Sequence, residues 1–201
     1  MTLPVLRQIA LMLGLLLIFM RPVNCIGWQP YDFKPSKYEY QIIQHDRKGL
    51  QESFYELEIK RIERENKEGE ETYEVLYSTH GEIPGSKLGV ESAYGLWNFN
   101  GASLTTLMLN PAYAYLFSEI TLEVGASQSF LGAGTMKIRG KQTVGGHEGF
   151  LCELYHSDGG TERLSASWVI NPTLALPLRS ITYDKEAKVT TEITLLSYVE
   201  Y

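Results

Sequence analysis

Apolar and polar side chains alternate along much of this chain. Tyr38, Tyr40 and Ile42 are separated by single polar residues, as are Tyr55, Leu57 and Ile59, and Tyr73, Val75 and Tyr77 repeat the spacing. A period of two in aromatic and β-branched residues predicts strands that bury one face. Turn chemistry separates these runs at Lys48-Gly49 and at Asn66-Lys67-Glu68-Gly69. The second turn closes a hairpin whose charged tip (RIERENKEGEE) is expected to be a solvated end. Later strands are expected over 119–124, 135–144, 149–156, 163–170, 177–184 and 189–200, with reversals at Gly145-Gly146, Asp158-Gly159-Gly160 and Asp184-Lys185. Connections this short join antiparallel neighbours, so the pattern is a meander. In it Phe150, Cys152 and Leu154 share one face, as do Ala166, Trp168 and Ile170, and Ile193 and Leu195 share a face of the last strand.

Residues 85–118 break the rhythm, with little charge and apolar residues that do not alternate cleanly. Ala102 to Leu109 and Pro111 to Phe117 are expected to form short helices, with a turn at Asn98-Phe99-Asn100-Gly101. The fold class that follows is mainly β: an antiparallel open half-barrel meander with one or two short inserted helices. The inserted segment is then a core plug or a lid.

The N-terminus sets the compartment. Arg7 precedes an apolar run from Ile9 to Met20, about a dozen residues, where a membrane-spanning helix needs roughly 20. That length suits the apolar region of a signal peptide, and Cys25-Ile26-Gly27 offers small residues for cleavage before Trp28. Residues 1–27 are accordingly expected to be a signal peptide and residues 28–201 one β-rich domain, periplasmic or secreted. Two other readings stay open: an uncleaved anchor, and lipid attachment at Cys25, although Pro22 and Asn24 stand where a lipobox wants a large apolar and a small residue. Either would bring membrane association through the N-terminus.

Charge and cysteines narrow the partners. Removing Arg7 and Arg21, which no acid in that segment offsets, takes the formal charge from −6 to −8. An acidic chain of this kind has no electrostatic footprint for nucleic acid, and no polybasic stretch attracts anionic lipid. Cleavage after Gly27 leaves Cys152 alone, whereas cleavage upstream of Cys25 permits a bridge between the two. Core burial, rather than covalent stapling, is expected to hold the domain together.

Candidate chemistry is sparse. Cys152 and His156 share a strand face but lie roughly 13 Å apart at strand rise, too far for one ion, so no metal site is expected even with His147 nearby. No G-x-S-x-G or Cys–His signature points to a nucleophile. Gly132-x-Gly134 lacks the Lys-Ser/Thr of a phosphate loop and reads better as a bend. The acids of 52–74 lie on a solvent-facing hairpin, where they repel rather than form a shielded pair. No catalytic residue and no cofactor is therefore assigned. What remains is thirteen Tyr, seven Phe and three Trp, many at alternating strand positions. A curved sheet of such residues either encloses an apolar ligand or fills itself.

Leu122-Glu123-Val124-Gly125, Val144-Gly145-Gly146, Phe150-Leu151-Cys152, Ser167-Trp168-Val169-Ile170, Leu176-Pro177-Leu178-Arg179 and the last strand Glu192 to Tyr198 form an ordered series. Over residues 119–201 this order resembles the LolA/LolB-like superfamily of exported lipoprotein carriers. The resemblance implies a concave apolar sheet that wraps helices and holds acyl chains, with 85–118 as the lid. The expected function is an exported, non-enzymatic cell-envelope protein whose partner is an apolar ligand, a lipid or a lipoprotein acyl chain. Alternation and lid placement put Trp97, Phe99, Leu107, Phe117, Phe150, Leu154, Trp168 and Ile193 at the binding surface. The competing expectation is an envelope assembly or interaction protein with a solid core.

Overall fold

The computed structural model describes residues 27–46, 49–62, 70–82, 117, 119–130, 134–158 and 160–201. These form nine strands: β1 (Ser36–Asp46), β2 (Gly49–Ile62), β3 (Thr72–Gly81), β4 (Ser127–Phe130), β5 (Gly134–Val144), β6 (His147–Asp158), β7 (Thr161–Ile170), β8 (Arg179–Tyr183) and β9 (Val189–Glu200). All pair antiparallel in one open sheet ordered β3-β2-β1-β9-β8-β7-β6-β5-β4. Two meanders therefore meet in the middle, where the first strand pairs with the last. The expected helices at 102–109 and 111–117 lie outside the described residues apart from Phe117, and no helical element occurs among the described ones.

The registers place the alternating apolar residues on one face. Tyr40 lies opposite Tyr55 on one side and Leu195 on the other, and Ile42 lies opposite Ile193. The same face continues through Ser180, which pairs Ile193, to Trp168, Cys152 and Ile138. A slip of one residue anywhere would turn this set to water, which is why the pattern fixes the register.

The sheet is curled. Strands four positions apart in a flat sheet lie roughly 19 Å from each other. Yet the turn between β5 and β6 reaches β9: a Cβ on Gly145 would stand 2.9 Å from the Leu195 carbonyl oxygen, and Val144 packs with the residues of β1 and β9. Gly145 has φ +56°, so glycine answers both the left-handed turn and the close approach. Register shifts at Glu39/Tyr40, Ile138/Gly140, Leu154/Tyr155 and Thr182/Tyr183 mark irregular steps in the ladders, and bulges of this kind bend and twist a sheet.

Two sequence expectations are corrected. Residues 119–124 are not a strand; the fourth strand is Ser127–Phe130. Ile120 and Leu122 are both buried and Thr121 and Glu123 are not, which imitates strand alternation without a neighbouring ladder. Pairing to β5 begins only where the Gly125 N–H donates to the Ile138 carbonyl and the Ile138 N–H to the Ala126 carbonyl. The second correction concerns β3, whose Tyr73, Val75 and Tyr77 form a strand as expected but are exposed at 42%, 43% and 64%. It is the terminal strand of the sheet, and nothing in the described residues covers it.

Candidate functional site

The inner face carries two apolar clusters. One gathers Tyr38, Tyr40, Ile42, Tyr55, Leu57, Ile59, Ile193 and Leu195 from β1, β2 and β9. The connection between β7 and β8 lies against it and buries Leu174, Leu176 and Leu178 there. Polar groups hold that connection in place. The Tyr40 hydroxyl donates to the Pro177 carbonyl at 2.9 Å, the Ala175 N–H donates to the Tyr38 hydroxyl at 3.4 Å, and the Tyr31 N–H donates to the Ala175 carbonyl at 2.9 Å. Tyrosine suits these positions because its ring fills apolar space while its hydroxyl satisfies a backbone group that water cannot reach.

The other cluster joins Met136, Ile138, Cys152, Leu154, Ala166, Trp168 and Ile170 of β5–β7. Its cover comes from outside the sheet: Phe117, Ile120 and Leu122 from the end of the β3–β4 connection, and Trp28 from the segment before β1. Phe117 stands edge-on to both Trp28 and Trp168, at ring-centre distances of 4.9 and 5.5 Å. Trp28 also donates from Nε1 to the Leu174 carbonyl at 2.7 Å, which ties the cover of one cluster to that of the other. β3 and β4 are opposite edges of the sheet. Phe117, Ile120 and Leu122, just before β4, lie on the inner face.

Of the residues expected at the binding surface, Trp97, Phe99 and Leu107 lie outside the described residues. Phe117, Phe150, Leu154 and Trp168 are brought together in the second cluster, with Phe150 partly buried at its margin and Lys141 Nζ 5.3 Å from its ring centre. Ile193 belongs to the first cluster. Phe117, Trp168 and Ile193 are 1%, 1% and 0% exposed, closed over by the protein's own side chains.

Between Trp168 and Ile193 stands Ser180, fully buried, whose hydroxyl has no hydrogen-bond partner among the described residues. Alternation did not single it out, because a small polar residue inside an apolar stripe reads as a neutral gap. Cys152, a free thiol, is fully buried and burial pushes its pKa up, so it is a core side chain rather than a nucleophile. His147 packs edge-on against Tyr198 at 5.7 Å. A polar groove of about 400 Å³ lies among Gln29, Asp32, Lys34, Pro172 and Thr173, with a lining unsuited to an acyl chain.

Among the described residues, the part of the inner face that stays open is its β3 end. There Val75 lies opposite Ile59 and Tyr77 opposite Leu57, so the two exposed side chains continue the apolar floor of the first cluster.

No family model matches the chain, and no curated protein matches it in sequence. Solved structures resemble it in shape alone. The crystal structure of MucB aligns at 9% identity and TM-score 0.36 over 88% of this chain and 56% of that one. The MucA/MucB complex of Pseudomonas aeruginosa aligns at 10% identity and TM-score 0.33, over 83% of this chain and 52% of that one. A Bacteroides fragilis NCTC 9343 protein with a YmcC-like fold aligns at 8% identity and TM-score 0.35, over 87% of this chain and all of the other. This chain spans about half the length of the MucB structures it is similar to.

Proposed function

We propose that the protein is an exported, non-enzymatic component of the cell envelope that binds an apolar ligand, a lipid or lipoprotein acyl chain, on the inner face of its sheet. The observation that carries this reading is the uncovered end of that face. Tyr73, Val75 and Tyr77 extend the buried floor of Tyr55, Leu57 and Ile59 outward, an exposed apolar strip that none of the described residues covers. The apolar N-terminal run supports export. The test is solvent extraction and mass spectrometry of protein purified after export from cells making the full chain. A lipid is expected in near-equal molar amount, and Val75→Asp combined with Tyr77→Asp is expected to lose it. Lipid-free protein in repeated preparations, or lipid retained by the double variant, overturns the reading.

A second reading has its own support. Phe117, Trp168 and Ile193 are packed shut, as an interaction protein with a solid core would be. Under it the apolar strip meets another polypeptide, and the extraction returns no lipid.

A further inference from the structure

The two edges of the sheet are built differently. β4 is four residues long, and a short edge offers little ladder to a foreign strand. β3 is ten residues long and pairs with β2 without a register shift from Thr72 to Gly81. It carries no proline, lysine or arginine, and its one acid is Glu74. Its apolar residues are exposed on both faces: Tyr73, Val75 and Tyr77 on the inner one, Leu76 at 50% on the outer. Among the described residues none of the usual protections of an edge is present, although β2 beside it carries Glu52, Glu56, Glu58, Lys60 and Arg61.

We propose that β3 is a dimerisation edge, on which a second copy of this chain pairs antiparallel through its own β3 and joins the two sheets into one. The strand's sequence favours its own copy. With the two-fold axis at Leu76, that residue meets itself, and Val75 meets Tyr77 on both sides of the axis, a β-branched residue against an aromatic one. Glu74 falls opposite Ser78, Tyr73 opposite Thr79 and Thr72 opposite His80, so no like charges face each other. Odd residues meet odd ones, which keeps the inner faces of both copies on the same side. The chain as a whole is acidic, at a formal −6, and repels its copy; β3 is the long strand with least charge to oppose contact. The contact uses the hydrogen-bonding edge of the strand rather than its face, so it stands independently of ligand binding.

Sedimentation equilibrium of the exported, lipid-extracted protein tests it. A species of twice the chain's mass is expected at micromolar concentration. Leu76→Lys is expected to weaken association by about tenfold or more, with the circular dichroism spectrum and melting temperature retained because Leu76 is exposed. Under mild oxidation Leu76→Cys is expected to cross-link above the parent's background, while Ser78→Cys, whose copies lie four residues out of register, is not. A monomer throughout the range, a dimer indifferent to Leu76→Lys, or cross-linking at Ser78→Cys alone overturns the proposal.

Discussion

The cluster around Tyr40 and the cluster around Trp168 lie on the same face of one sheet, yet they are closed by different means. The first is roofed by a loop whose backbone is held by tyrosine hydroxyls. The second is roofed by aromatic and branched side chains from two distant parts of the chain, packed ring against ring, with the Trp28 Nε1 bond to the Leu174 carbonyl joining it to the first roof. Polar closure fixes a loop in one register, because each bond has one partner and one direction. Apolar closure yields more energy per residue and is less particular about position. Ser180 sits on the seam between them, where neither kind of closure satisfies it.

Emptying the floor beneath the apolar roof should cost most. Trp168→Ala empties the centre of the second cluster and is expected to lower unfolding stability by about 3–5 kcal/mol in urea titration. Alkaline pH should act on the first cluster, since all the tyrosines buried in the two clusters belong to it. Burial raises the pKa of Tyr38, Tyr40 and Tyr55. Below pH 10, the ordinary phenol value, these groups are protonated folded or unfolded. Above it the unfolded chain releases protons that the fold retains, so stability should fall as pH rises. Urea midpoints at pH 8, 10 and 11 check this, and a flat profile would contradict the burial of these rings. Tyr40→Phe removes one bond of the polar roof and leaves the Pro177 carbonyl unpaired, for an expected loss of about 1–2 kcal/mol. The smallest effect belongs to the seam: Ser180→Ala should leave the thermal midpoint unchanged or raise stability by about 1 kcal/mol, because it deletes an unsatisfied hydroxyl. A clear loss there would mean that the hydroxyl has a partner in solution.

The same contrast explains what sequence alone could reveal. Strands such as β9 were legible to the residue, because Ile193 and Leu195 alternate against a single buried face. The β5–β6 reversal was legible in Gly145-Gly146, both with positive φ. Alternation reports burial, however, and not what does the burying. Ile120 and Leu122 are buried by crossing a face rather than by joining a ladder, and so imitated a strand. Tyr73, Val75 and Tyr77 alternate correctly but lie at an edge, a property of strand order that no local pattern carries. The role of Leu174 to Leu178 as a roof was hidden for a related reason: its partners Trp28, Tyr38 and Tyr40 lie more than a hundred residues earlier in the chain. Of the residues expected at the binding surface, Phe117, Phe150, Leu154 and Trp168 gather in the second cluster, while Ile193 falls to the neighbouring one.

The pairing of β1 with β9 bears on when this protein can acquire its shape. The middle of the sheet is completed by residues 189–200, so a ribosome partway through the message holds two separate meanders with no shared spine. Such a chain gathers its decisive contacts late and over long sequence separations, which slows folding.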